Sequence, residues 1–586
     1  MRLRWVWLYL TVVLAAGVVV RSQARSPLDQ LFADYYEDTL KWTPERATSL
    51  GRNDYNDRWS DWSKAGRDAI QAARRQYLTR LQPLETGRLT EEEQLNAALL
   101  HGQLQQAIDT ADLDTFIYAL YQGASRSVHS QAFSAISAMP ARSVRDYEQI
   151  LARLDTLPQY VAQRIDALRE GMSRGIVQAA LVTDIIAGQV QTQAEQAPEA
   201  SPLLAAFRSF PASIPANEQA RLRSRAEAAY REAFQPSWRR LHTFLAEDYR
   251  RVARTNVSPA SLPGGDQLYR ALVRRETTTG MTPEEIFALG EREVARIETA
   301  MQATAKEAGF SGTVSEFSAR LDADPAMHFR DREEMLVFVR NIAMQAEPGL
   351  PQLFKRLPRA PFGVRPIRPD VEAATANYYD APAFDGSRAG FVNLNTYKAE
   401  TQVKYDKVSL ILHEGVPGHH LQLALQRERT DVPEFRTLAS STAFLEGWGL
   451  YAESLGNELG LYRDPVIRFG WLTSERFRAV RLVVDTGMHA KGWSRQQATD
   501  YFKLHAPTNS LAEIDRYIAQ PGQALAYKMG ELKLTELRRR TEMALGSRFD
   551  LREFHDVVLT GGNLPLDLIE QQVDAYIRRE QLRTGR

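Results

Sequence analysis

Apolar residues recur at spacings of three and four through most of the chain, the period of a helix buried on one face. From residue 28 to about 350 this pattern predicts long amphipathic helices. Several starts carry a capping box: a Ser or Thr oxygen accepts from the amide three residues on, and a Glu or Gln side chain reaches back. "TEEE" (Thr90–Glu93), "TPEE" (Thr282–Glu285), "SRQQ" (Ser494–Gln497) and "SLAE" (Ser510–Glu513) have this form. No repeat at a solenoid period of roughly 20–50 residues is visible.

The pattern breaks between about 350 and 397. Prolines cluster at Pro348, Pro351, Pro358, Pro361, Pro366 and Pro369. After the turn signal "DGSR" comes "AGFVNLNTY" (Ala389–Tyr397), rich in strand formers. It predicts a small sheet, with Asn393 and Asn395 alternating onto one face. Helices resume near 401 and run to the end. The expected fold is mainly α, with many helices and one small β-sheet. No clear linker divides residues 25–586, which are read as a single large domain.

The first 24 residues differ. Arg2 and Arg4 precede an uncharged apolar run, Trp5–Val20, and small residues stand at Ser22 and Ala24. This predicts a secretory signal peptide over 1–24, cut after Ala24. The alternative is an uncleaved anchor, although the run is short for a hydrocarbon core of about 30 Å. The expected location is therefore periplasmic or extracellular, with no membrane contact beyond such an anchor. The 73 basic and 73 acidic residues balance, so nothing marks a nucleic-acid partner. There is no cysteine. Disulfides and acylation on cysteine are excluded, and any metal site must use His, Asp and Glu.

Residues 413–421 read "HEGVPGHHL". A zinc-protease helix begins His-Glu, but its second histidine belongs four residues on, where it shares a helix face. Here that place is Pro417, and the next histidines are His419 and His420. On an unbroken helix, six residues on lies about 240° round, and seven lies about 10.5 Å along the axis. Pro417 breaks the helix, and Gly415 and Gly418 permit unusual turns. A bulged turn at "GVPG" could bring either histidine back beside His413. A loop with incidental histidines would have the same spacing.

Further on, "STAFLEGWGLYAESLG" (Ser441–Gly456) is an apolar helix with Glu446 and Glu453 on one face. Gly447 and Gly449 weaken it by about 1 kcal/mol each relative to alanine. Close approach of another helix, with Glu446 on a metal, would explain both features; a buried ion pair to an arginine is the alternative. Downstream, Arg481, Asp485 and His489 stand at four-residue steps, so Asp485 could orient His489. Tyr527 lies in an apolar helix after a Pro-Gly turn. His489 or Tyr527 beside a metal could bind an oxyanion. A surface charge ladder and a core tyrosine are the plain alternatives. His101, His129, His242 and His328 are read as structural.

Four motifs in order, "HEGVPGHHLQ", "FLEGWGLYAE", "DTGMHAKGWS" and "PGQALAYKMGELK", resemble the signature of a bacterial family catalogued as domain of unknown function 885. The resemblance covers most of the chain from residue 28. It implies a helical metallopeptidase-like fold similar to the gluzincin zinc peptidases. Carried over, it makes His413, His419 and Glu446 the ligands of one Zn2+ per chain, and Glu414 the general base. His419 is preferred to His420 because the family signature is "PGH" followed by histidine or tyrosine.

The expected function is an exported zinc-dependent hydrolase acting on a peptide or protein. Tyr527 or His489 would bind the oxyanion. The strand 389–397 would pair with the substrate backbone, assisted by Asn393 and Asn395, and Arg481 would take a substrate carboxylate. A zinc hydrolase of a non-peptide amide or ester fits the same residues. A helical binding protein without catalysis is the reading from another class.

Overall fold

The structure is a computed structural model that describes residues 26–85, 89–121, 127–369, 372–383, 386, 388–506 and 510–583. The expected signal peptide and its cut lie outside the described residues, as does the Ser510 side chain. Helix dominates, as the apolar period requires. Before the proline cluster the long helices include Pro27–Trp42, Val144–Ser173 and Pro283–Glu307. The capping boxes at Thr90, Thr282 and Ser494 all form. At Thr282 the hydroxyl accepts from the Glu285 amide at 3.2 Å, and Glu285 accepts from the Thr282 amide at 2.8 Å. No helix among the described residues is long and apolar enough to cross a membrane.

Three short strands lie in and after the proline-rich stretch: β1 (Phe362–Pro366), β2 (Tyr378–Asp380) and β3 (Gly390–Leu394). Their order is β1-β3-β2. Val392 of β3 faces Val364 of β1 in parallel register and Tyr379 of β2 in antiparallel register. The expected strand therefore forms, but as the central one. Both of its edges are already paired, so it cannot take a substrate backbone as an added strand; that expectation is corrected.

Two large apolar cores share the molecule. One gathers Val144–Ser173, Ala180–Glu195 and one face of the long helix Pro465–Ala490, through Phe469, Ala479, Val480 and Val484. The other gathers Pro27–Trp42, the sheet and the C-terminal helices. It also holds a histidine helix (Lys407–Glu414) and a glutamate helix (Thr442–Ser454). Ile467 and Trp471 of the long helix pack against both cores. At this seam the histidine, glutamate and long helices meet a fourth, the tyrosine helix (Ala526–Leu545).

The glycines of the glutamate helix now have a reason. Gly447 crosses Gly530 of the tyrosine helix backbone to backbone. A Cβ on Gly447 would stand 2.5 Å from the Gly530 Cα, and one on Gly530 would stand 1.8 Å from the Ala443 carbonyl oxygen. Next to the crossing, Lys528 is fully buried. Its Nζ lies 2.7 Å from Glu475, 2.7 Å from Glu531 and 3.3 Å from Glu293, tying three helices together. Gly530→Val should push the two helices apart and cost about 1–3 kcal/mol of stability. Equilibrium unfolding in urea measures this, and an unchanged midpoint would contradict the crossing.

Candidate metal centre

The histidine helix stops where its sequence says it must. The Gly415 amide donates to the Ile411 carbonyl at 2.8 Å, and two residues on Pro417 has no hydrogen to donate. The chain then turns tightly and a second helix begins at once, His419–Arg427. The turn folds back on itself: the His420 amide donates to the Gly415 carbonyl at 3.0 Å. Gly418 presses against the His413 carbonyl, where a Cβ would stand only 1.9 Å from that oxygen. The Trp448 indole N–H holds the turn against the glutamate helix by donating to the Pro417 carbonyl at 2.9 Å.

This turn returns His419 to His413. Their rings are 4.7 Å apart at 81°, edge to face. Glu446 reaches both: its Oε2 lies 3.4 Å from His413 Nε2 and 3.5 Å from His419 Nε2. One nitrogen from each histidine and one Glu446 oxygen fall within 4.8 Å of one another. His420, one residue and about 100° further round, faces the sheet instead. Its Nδ1 hydrogen-bonds the Tyr379 hydroxyl at 2.7 Å and its ring packs on Phe362 at 4.6 Å. Burial lowers its pKa to about 4.

His413 is fixed from behind. Its Nδ1 donates to Glu453 Oε1 at 2.9 Å, which turns Nε2 toward Glu446. Glu453 is 1% exposed and its other oxygen accepts from the Ser474 hydroxyl at 2.8 Å. Gly449 makes room for the ring, since a Cβ there would stand 2.5 Å from His413 Cε1. Burial opposes a charge on His413, but the nearby carboxylates of Glu446 and Glu453 outweigh it and raise its pKa to about 9. Burial likewise opposes a charge on Glu446, yet His413 and His419 hold its carboxyl well below the usual range. Glu414 follows His413 in the chain, is 9% exposed and adds its charge to His413.

The distances separate two kinds of site. A direct imidazole–carboxylate hydrogen bond is about 2.7–2.9 Å long. Ligands about 2.0–2.2 Å from a shared tetrahedral ion sit roughly 3.3–3.5 Å from one another. The two His–Glu446 separations match the second case. A donor set of two imidazoles and one carboxylate is one that zinc accepts. Glu453 holds His413 as an outer carboxylate would hold a metal-binding histidine. Its sequence signal was its place seven residues after Glu446 on one helix face.

Tyr527 stands three residues before Gly530, which crosses Gly447, the residue after Glu446. Burial raises its pKa and the Glu446 charge adds to the rise. The Arg481 guanidinium stacks on its ring at 4.5 Å.

Other expected site residues are placed elsewhere. His489 does not join the cluster and does not pair with Asp485. Its Nε2 bonds the Tyr517 carbonyl at 3.1 Å, its ring packs on Tyr269, and burial lowers its pKa to about 3. Asp485 accepts instead from the Tyr269 hydroxyl at 2.7 Å and the Gly522 amide at 3.0 Å. His489 is thus a neutral core histidine, without a proton to give an oxyanion.

Asn393 and Asn395 are also spent within the sheet region. Asn393 accepts from Arg365 at 2.7 Å and donates to Asp380 at 3.0 Å. Asn395 donates to the carbonyls of Glu372 and Thr375 at 2.8 and 2.7 Å. Neither is free to hold a substrate. His129 hydrogen-bonds the Ser127 hydroxyl, His242 the Ala187 carbonyl and His328 the Asp322 carbonyl.

Among curated proteins nothing matches the chain. Two solved bacterial structures share its fold. One, described as "the putative lipoprotein from Colwellia psychrerythraea", is 26% identical with a TM-score of 0.88, covering 94% of this chain and 99% of that one. The other, described as "a putative lipoprotein of unknown function from Shewanella oneidensis", is 19% identical with a TM-score of 0.73 and the same coverage. A family model matches residues 44–573, and the chain belongs to that family, the bacterial proteins of unknown function called DUF885.

Proposed function

We propose that the protein is a zinc-dependent hydrolase, most simply a peptidase, with a gluzincin-like centre of His413, His419 and Glu446. The observation that carries this is the pair of 3.4 and 3.5 Å separations from Glu446 to the two histidines, too long for hydrogen bonds and right for a shared ion. A bound zinc ion would supply Lewis acidity, sharpening a water as nucleophile and polarising a carbonyl oxygen.

The chain's own groups would do the rest. Glu414 accepts the proton of the attacking water, holds it, and passes it to the leaving nitrogen. Tyr527 donates its hydroxyl to the carbonyl oxygen as negative charge builds there. Its raised pKa keeps that proton in place at neutral pH. Glu453 and Ser474 hold the His413 ring so that Nε2 faces the ion.

The lipoprotein descriptions of the two similar structures support an exported or cell-envelope location, in line with the signal peptide expected over residues 1–24. This sequence has no cysteine to carry an acyl chain, so that means of attachment is not proposed for it.

The purified protein should carry one zinc per chain by elemental analysis, and Glu446→Ala should lose it. Zinc absent from the wild type even after incubation with the ion would remove the basis of the proposal. Glu414→Gln should keep the zinc while peptide turnover falls by roughly 10²–10⁴-fold; unchanged turnover would take the general-base role from Glu414. Glu453→Gln should weaken zinc binding by roughly 10–100-fold in chelator competition. Wild-type affinity in that variant would mean that Glu453 does not orient His413.

A further inference from the structure

Behind the Tyr527 ring, two arginines converge on one carboxylate. Arg481 of the long helix is 6% exposed. Arg516 comes from the helix Ser510–Ala519, and both arginines turn to one carboxylate, Glu513. Glu513 Oε2 accepts from Arg481 Nη2 at 3.2 Å, Arg516 Nη2 at 3.0 Å and the Tyr517 hydroxyl at 2.5 Å. Arg481 Nε donates to the Tyr517 oxygen at 3.0 Å, and Arg516 Nη1 to Gln523 at 2.6 Å. Two guanidiniums thus share one anion.

One donor is left over. Arg481 Nη1 is buried and makes no hydrogen bond. The guanidinium lies between the rings of Phe477 and Tyr527, at 4.4 and 4.5 Å. Aromatic faces attract the cation but accept no ordinary hydrogen bond. A buried guanidinium donor without an acceptor is costly unless something completes it. Tyr527 stands three residues before Gly530, whose Cα lies against Gly447, the residue after Glu446, so the ring that covers the unspent donor belongs to the helix that crosses beside the metal centre. The side chains of Arg516 and Glu513 are 22% and 24% exposed, so this pair opens toward solvent.

We propose that Arg481, seconded by Arg516, binds a free carboxylate of the substrate, so that the substrates are amides with a carboxylate close to the scissile bond, such as peptides cut near the C terminus. The planar fork of arginine matches a carboxylate in shape and charge. The carboxylate reaches Nη1 by displacing the Tyr527 ring from the guanidinium, which leaves the tyrosine hydroxyl free to turn to the reacting carbonyl. The reaction itself is hydrolysis: water oxygen joins the carbonyl carbon, the C–N bond breaks, and a water proton goes to the leaving amine. The substrate class rests on the metal-centre reading given above; the carboxylate site can be tested apart from it.

The test uses binding rather than turnover. Two N-acetylated peptide libraries, identical except for a C-terminal acid or amide, are offered to the full-length Glu414→Gln chain incubated with zinc. Retained peptides are read by mass spectrometry, and zinc is measured in the same samples. Acids should bind at least about tenfold more tightly than amides. Adding Arg481→Met should erase the preference. Adding Arg516→Gln should reduce it, and serves if the first variant does not fold. Equal binding of acids and amides with zinc present would overturn the carboxylate site and leave the metal centre standing. A preference that survives both arginine changes would overturn it too. An acid preference without bound zinc would support the arginine site and count against the metal centre.

Discussion

The carbonyl of His413 and the bare Cα of Gly418 are pressed together, and the site depends on that contact. Six residues separate His413 from His419, which on a continuous helix would put them on opposed faces. The chain gives up the helix at Gly415, turns within a few residues and restarts at His419. Only a residue without Cβ allows the return, because a side-chain carbon at Gly418 would overlap the His413 oxygen. The turn does not stand alone. Trp448 donates to its Pro417 carbonyl from the glutamate helix, so the element that carries Glu446 also holds the two histidines in register.

The helices around this turn bring the charges into a space that water largely leaves. Gly449 seats the His413 ring, Gly447 lets the tyrosine helix approach, and Glu453 takes the outward nitrogen of His413. The seam between the two apolar cores is where these helices cross. Burial of this kind strengthens each electrostatic term and penalises any charge left unpaired. It lifts the pKa of Tyr527 and Asp485 and depresses that of His489 and His420. The same seam thus holds the His413, His419 and Glu446 cluster together with neutral core histidines at 420 and 489.

What could be read from the sequence was mostly local. The capping boxes at Thr90, Thr282 and Ser494, the break before Pro417 and the strand after "DGSR" depend on neighbours within a few residues, and each is found. The odd pairing of Glu446 with Gly447 correctly announced a close helix crossing, because glycine inside an apolar helix needs a reason. Choosing between His419 and His420 required the direction in which the second helix leaves the turn, which spacing does not contain. Asp485 and His489 do share a helix face, but that face is turned inward. Tyr269 and the Gly522 amide, distant in sequence, claim Asp485 first. Asn393 and Asn395 alternate as read, yet β3 lies between two other strands, and sheet order is not written in a single strand. Glu453 was visible beside Glu446; its role required knowing that His413 lies under it.

The central claim is that His413, His419 and Glu446 share one ion across the Gly415–Gly418 turn. Diffraction from crystals of the zinc-incubated full-length chain, at wavelengths on either side of the zinc absorption edge, tests it most directly. One anomalous peak is expected about 2.0–2.2 Å from His413 Nε2, His419 Nε2 and a Glu446 oxygen, with a further position open. No peak there, or a peak whose ligands include His420 in place of His419, would contradict it.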